Sequence, residues 1–258
     1  MIKEAVKNFA KGIGIEEVGF SKDAVVALFP YFVKGEGGNV SIYARGIDYH
    51  TVLEKKLGAL SEYLKALGAE KVIIHVDKGL LDDRKAAFDA GLGFYGKNGM
   101  LINPVYGSYF FIGQVVHDLK IAADKPMKED CFSCGECIKN CPGGALKENS
   151  FVLEKCLSHI TQLRGHLEAE KRLAVLKNGF CWGCDVCQTV CPHNKDLETN
   201  AISEFLKDRI SYLETNDIKG LSNKAFKEKF GRYAFSWRGK KPLERNLEIL
   251  SSLENNNE

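Results

Sequence analysis

The run C-x2-C-x2-C-x3-C-P occurs twice, as CFSCGECIKNCP at 131–142 and CWGCDVCQTVCP at 181–192, and no other feature limits the fold so sharply. With this spacing, three thiolates on a tight loop hold one [4Fe-4S] cluster, and the fourth, before proline, reaches to a second cluster. Four-thiolate zinc also uses C-x2-C pairs, but it has no need of two interlocking three-plus-one runs. Spacing alone assigns Cys131, Cys134, Cys137 and Cys191 to one cluster, and Cys181, Cys184, Cys187 and Cys141 to the other. The ninth cysteine, Cys156, lies in FVLEKCLSHITQLRG, where a lone cysteine is by default a small packing residue.

Nine cysteines in a chain whose start is charged and helically periodic, unlike a signal peptide, point to thiolate ligands in a reducing compartment. No run of about 18 apolar residues occurs, so no membrane span is expected and the protein reads as cytoplasmic. The net charge of +2 is too mild to require an acidic partner. At 258 residues and 45% apolar content, the chain suits one large domain or two modest ones.

Periodicity predicts a helix over 2–12, a short strand at EEVGF, and a helix of about five turns through DYHTVLEKKLGALSEYLKAL. KVIIHV then reads as a strand ending at Asp77, DDRKAAFDA as a capped helix, GLGFYGKNG as a glycine loop, and SYFFIGQVV as a buried strand. The expected organisation is an α/β layer over 1–124, a cysteine-rich module over 125–196, and a helical segment over 197–258 that includes SEFLKDRI and PLERNLEILSSL.

Three further stretches carry weaker signals. GLGFYG satisfies G-x-G-x-x-G, but it follows a helix and leads into extended chain, the reverse of a dinucleotide site, so a helix C-cap and tight turn is the better reading. Asp77 in VDKG reads as a strand-end turn residue, and Asp82 and Asp83 as helix caps. Residues 224–245 hold eight Lys or Arg against two Glu, interleaved with Phe226, Phe230, Tyr233, Phe235 and Trp237. That pattern suits phosphate contacts with base stacking, and equally an amphipathic segment with core aromatics.

RGIDYH (45–50), a strand ending at Asp77, AGLGFYGKN (90–98), GSYFFIGQVV (107–116), the first cysteine run, KCLSHITQLRG (155–165), GCDVCQTVCPHN (183–194) and WRGKKPLERN (237–246) follow one another in an order that resembles the epoxyqueuosine reductase family. The resemblance implies an α+β fold: a nitroreductase-like α/β corrinoid layer, a ferredoxin-like double [4Fe-4S] domain and a helical C-terminal segment. It implies reduction of epoxyqueuosine to queuosine in tRNA with cobalamin and two [4Fe-4S] clusters, in a family related to reductive dehalogenases. Asp77 corresponds to the family's proton donor. Asp77, Lys97, Asn98, Leu101, Ser158, Asp185 and Val186 fall at corrinoid-contact positions, with the corrinoid expected between the α/β layer and the cluster domain.

The family draws its second cluster's ligands from the positions of Cys141, Cys156, Cys184 and Cys187, which makes Cys181 the spare and overturns the assignment by spacing. DYHTVL resembles the start of a cobalt-ligating D-x-H-x-x-G motif, but Leu53 stands at the glycine position, so Asp48 and His50 read as packing or helix-start residues. The amino-terminal region is shorter than usual for the family, and the helical-repeat domain that commonly follows the clusters is not in the sequence. The implied partners are the tRNA anticodon loop and a low-potential donor such as ferredoxin or flavodoxin, with the protein a monomer. Two competing readings keep part of this picture: a corrinoid reductase of a small molecule or organohalide, and a two-cluster electron carrier without a substrate of its own.

Overall fold

The computed structural model describes residues 2–77 and 82–252. Contacts divide the chain into two units, each discontinuous in sequence. The first holds the chain up to Phe32, Tyr49–Ser133 and Asp196–Glu204; the second holds Val33–Asp48, Cys134–Lys195 and the chain from Phe205. Among the described residues no helix is long and apolar enough to cross a membrane.

In the first unit the elements run α1 (Ile2–Gly12), β1 (Glu17–Phe20), β2 (Ala24–Pro30), α2 (Tyr49–Ala66), β3 (Val72–Val76), α3 (Asp83–Asp89), β4 (Phe94–Tyr95), β5 (Leu101–Ile102) and β6 (Phe110–His117). β1, β2, β6 and β3 form a four-stranded sheet in that order, every neighbouring pair antiparallel. β2 pairs with β6 from Ala24↔Val116 to Pro30↔Phe110, and all seven of its residues are buried. A strand buried on both faces loses the polar–apolar alternation by which strands are recognised, and this one, AVVALFP, is the strand of the main sheet that sequence reading misses.

The helices cover the two faces of this sheet. α2 buries Val52, Leu53, Leu57, Leu60 and Leu64, each contributing roughly 1.5–3 kcal/mol by leaving water. It approaches the sheet at Gly113, where a Cβ would stand 2.7 Å from Leu57 Cδ1 and 3.2 Å from Phe29 Cε2. On the other face Ala86, Ala87 and Ala90 of α3 pack with Ala24, Val26, Leu28 and Phe110. Small residues on α3 let that helix lie close to the strands.

The second unit contains α4 (Glu136–Lys139), β7 (Leu146–Lys147), β8 (Ser150–Phe151), α5 (Leu157–Gln162), α6 (Ala169–Asn178), α7 (Val186–Thr189), α8 (Thr215–Ile218), α9 (Asn223–Phe230) and α10 (Lys240–Ser251). The two cysteine runs build the same local structure. Each third cysteine, Cys137 or Cys187, sits on a four-residue helix, α4 or α7, that ends just before the fourth cysteine. α4 and α7 pack against each other. Leu157 and Ile160 of α5, Val175 of α6 and Ile249 of α10 form a separate core, with Cys184 packed at its edge.

The expected helix at SEFLKDRI is instead one 3-10 turn, Ser203–Leu206. Asp208 beyond it has a left-handed backbone, φ 50°, which no helix continues. Arg209 is drawn to the Glu36 carboxylate at 2.5 Å and to the Phe205 carbonyl at 2.7 Å, contacts that an isolated helix would not make.

Candidate redox and proton-transfer site

The thiols of the second unit fall into a grouping that spacing does not anticipate. Burial pushes the Cys184 thiol up to about 12, and the nearby Asp185, Cys156 and Cys141 push in the same direction. Cys187 is likewise raised to about 12, by burial and then by Cys184, Cys156 and Cys141. Cys141 and Cys156 thus each bear electrostatically on both Cys184 and Cys187. Cys156 reaches this grouping as the N-cap residue of α5, and Cys187 as part of α7.

Cys181 stands apart from them. It is 0% exposed, and burial is what raises its thiol to about 12, with no other thiol acting on it. Its backbone is fully used: the N–H donates to the Asn39 carbonyl at 2.8 Å, and its carbonyl accepts from Asn246 Nδ2 at 2.8 Å. Asn246, itself 0% exposed, also donates to the Thr161 carbonyl at 2.7 Å. Gly183, with φ 72°, brings the same loop against Ser41, where a Cβ would meet Ser41 Cβ at 2.4 Å. Cys181 is thus a packing residue in a loop pinned from several directions.

The four grouped thiols suit an iron-sulfur cluster chemically. Thiols that hard to ionise become thiolates when a cation replaces their protons, and binding then couples to proton release. Among the described residues no three His, Cys, Asp or Glu side chains are grouped so as to hold a single metal ion. Of the remaining cysteines, Cys134 is exposed, Cys131 half-buried, and Cys137 and Cys191 buried.

In the first unit Asp77 follows the last residue of β3 and has a left-handed backbone, φ 59°. A non-glycine residue there is uncommon, and such conformations concentrate at functional sites. Tyr49 donates its hydroxyl to Asp77 Oδ2, and His50 Nε2 stands 3.4 Å from the same oxygen. Tyr49 is stacked between His50, at 4.3 Å, and Phe111, at 4.1 Å, which fixes its ring. Tyr49 and His50, read from sequence as helix-start residues or not singled out at all, are thus partners of the acid. Their adjacency in DYH is the signal that was available.

The expected corrinoid contacts are distributed over both units. Asn98 is buried, and its Oδ1 accepts from the Met100 N–H at 3.1 Å within the glycine loop; Lys97 beside it is half-buried. Leu101 is 3% exposed and its side chain belongs to the core beneath α3. In the second unit the Asp185 carboxylate is 3% exposed and accepts from Ser41 Oγ at 2.5 Å and from the Ile42 N–H at 2.9 Å. Burial raises its pKa. Val186 opens α7, and Ser158 lines a cavity of about 400 Å³ together with Cys156, His159, Gln162, Arg164 and Arg238. His50, which the sequence reading did not assign to cobalt, has its Nε2 3.4 Å from Asp77 Oδ2.

The basic, aromatic stretch at 224–245 divides between the two readings. Phe226, Phe230, Tyr233 and Phe235 are buried and pack with one another. Arg245 caps the end of α5 by donating to the carbonyls of Leu163 and Gly165 at 2.7 and 2.8 Å. Trp237 is the exception among the aromatics, 56% exposed, with the Arg238 guanidinium stacked on it at 3.7 Å and its Nε1 donating to Gln162 at 3.1 Å.

Residues 130–194 match the family model described as 4Fe-4S double cluster binding domain, and residues 22–78 match that described as epoxyqueuosine reductase QueG, DUF1730. An epoxyqueuosine reductase of Listeria monocytogenes is 40% identical over 224 residues, covering 84% of this chain and 59% of the relative. That of Leadbetterella byssophila is 34% identical over 217 residues, covering 83% of this chain and 70% of the relative. A crystal structure of epoxyqueuosine reductase with an epoxyqueuosine-modified tRNA-Tyr stem loop superposes with a TM-score of 0.87 at 30% identity, covering 97% of this chain and 81% of that one. The chain spans about 60% of the length of the first curated relatives it matches.

Proposed function

The chain belongs to the epoxyqueuosine reductase family, and from that premise we propose that it reduces the epoxide of epoxyqueuosine in tRNA to the alkene of queuosine. Likeness to a reductase bound to the modified stem loop supports the substrate. The observation that carries the reaction is Asp77, an acid in a left-handed turn with Tyr49 donating to its carboxyl and His50 beside it.

The conversion takes up two electrons and two protons and releases the epoxide oxygen as water. Two [4Fe-4S] clusters and a corrinoid supply the low-potential electron chemistry when bound. Cys131, Cys134, Cys137 and Cys191 hold one cluster. Cys141, Cys156, Cys184 and Cys187 hold the other, as their proximity supports. The exposed Cys134 makes the first cluster the side from which a donor such as ferredoxin or flavodoxin delivers electrons.

The corrinoid contacts are Asp77, Lys97, Asn98, Leu101, Ser158, Asp185 and Val186. The side chains of Leu101 and Asp185 are engaged within the protein. The amide of Asn98 and the hydroxyl of Ser158 suit the amide periphery of a corrin. Asp77 orients and delivers a proton to the departing oxygen, and Tyr49 fixes the carboxyl for that transfer. The exposed Trp237 and the half-buried Arg238 stacked on it are the stacking and phosphate-facing pair for the anticodon loop. The family reading further makes 1–124 a nitroreductase-like corrinoid layer, 125–196 the double-cluster domain and 197–258 a helical segment, in a cytoplasmic monomer.

The test is anaerobic reconstitution with iron, sulfide and cobalamin, followed by assay on epoxyqueuosine-containing tRNA with a chemical reductant. Conversion to queuosine is expected, and Asp77→Asn should keep iron and corrinoid while losing about 10²–10⁴ in turnover. Bound corrinoid with no conversion by the unaltered chain would instead indicate a related reductase of a smaller molecule.

A further inference from the structure

The departing epoxide oxygen sets a requirement that one carboxyl does not meet alone. That oxygen leaves as water, so both protons of the reaction end on the same atom, and a carboxyl carries one proton at a time. An acid that serves the oxygen twice in one turnover has to be reloaded while substrate lies against it.

The first unit places a proton donor beside Asp77. His50 is the second residue of α2, α2 packs on β3, and Asp77 follows the last residue of β3. His50 Nε2 stands 3.4 Å from Asp77 Oδ2. Such a separation is ordinary for a catalytic pair before substrate binds, because these contacts tighten in the complex. Tyr49 donates its hydroxyl to the same oxygen. Both side chains thus approach Oδ2, and a carboxyl can give a proton to substrate from Oδ1 and take the next one at Oδ2.

The two neighbours differ in what they can give up. On ordinary values an imidazolium is a stronger acid than a phenol by more than about 10³, so a histidine reloads a carboxylate far more readily than a tyrosine does. The Tyr49 ring is held between His50 at 4.3 Å and Phe111 at 4.1 Å, which suits it to aiming the carboxyl. The His50 side chain is 44% exposed, so its ring can collect a proton from solvent.

We infer that His50 reloads Asp77 between the two proton transfers, a role that rests on the epoxide reaction proposed above. In this step an N–H bond of the imidazolium breaks at Nε2 and an O–H bond forms on Asp77, leaving neutral imidazole and a carboxylic acid. The imidazole regains its proton from solvent, and the two electrons come from the low-potential donor. His50 acts through Asp77 and is a proton-supplying residue for it.

The test compares His50→Gln and His50→Ala in the reconstituted full chain. Glutamine keeps a hydrogen-bond donor near Asp77 but does not pass a proton on, so iron and corrinoid content should hold while kcat falls at least about tenfold with KM unchanged. His50→Ala should lose as much, and imidazole, at a concentration without effect on the unaltered chain, should restore several-fold of its turnover. Full turnover in His50→Gln, or a loss in His50→Ala that imidazole does not reverse, would overturn the inference. A second measurement is independent of substrate: nitrogen-15 NMR of labelled histidine in the oxidised full chain. The His50 Nε2 signal should move in Asp77→Asn. A signal that ignores this change overturns the relay even if epoxyqueuosine is reduced. A signal that responds, in a chain that fails to reduce epoxyqueuosine, upholds the pair and rejects the substrate.

Discussion

The molecule carries two groupings of like acids, four thiols in the second unit and the aspartates around Asp83 in the first, and burial raises members of both. They differ in what could satisfy them. Cys184 packs against apolar residues of α5, α6 and α10, and Cys184 and Cys187 are raised to about 12, so a cation that replaces their protons is what suits them. Asp83 has Gln114 to donate to it and His75 to offset its charge, so it can gain and lose a proton without a metal. Burial of like acids thus favours cation binding in one unit and a retained proton in the other.

Removing iron should separate the two groupings most strongly. Both tryptophans, Trp182 and Trp237, belong to the second unit, so tryptophan fluorescence reports on that unit alone. Chelation under reducing conditions should shift the fluorescence-detected urea transition by several kcal/mol, on the order of but below the roughly 10–16 kcal/mol of structural zinc sites. A fluorescence transition that ignores iron would mean that the thiols are not ligands.

A smaller effect is expected from Asn246→Ala. It leaves the Cys181 carbonyl without its side-chain donor and the Thr161 carbonyl with only the longer Arg245 contact at 3.3 Å, and should cost about 2 kcal/mol in the second unit, read by the same transition. The smallest effect belongs to the aspartates. A raised folded-state pKa means that the folded protein binds more protons than the unfolded one, so Asp83's contribution is full at acid pH and is lost as pH rises through its folded value. Asp83→Asn should therefore raise the unfolding free energy at pH 7 by well under about 1 kcal/mol after solvent screening, read by urea titration, and the gain should vanish below about pH 4.

Much of this was legible in the sequence, and the exceptions share a cause. α1, α2, β3 and β6 announce themselves by periodicity, and the cysteine spacing matches the double-cluster domain model. β2 was hidden because burial on both faces removes its alternation. SEFLKDRI carried helical composition, but Arg209's attraction to Glu36, distant in sequence, decided its course. Spacing could not place Cys156, because α5 brings it to the other thiols from outside either run. Asp83 read as a cap because its position matched one, and only the sheet register reveals that Gln114 stands opposite. Local rules failed wherever a partner came from far along the chain.

The most direct measurement is the iron and acid-labile sulfide content of Cys156→Ser beside Cys181→Ser after anaerobic reconstitution. Cys156→Ser should hold about four irons and Cys181→Ser about eight, two full [4Fe-4S] clusters. The reverse outcome, with Cys181→Ser losing a cluster and Cys156→Ser keeping both, would contradict the thiol grouping on which the account rests.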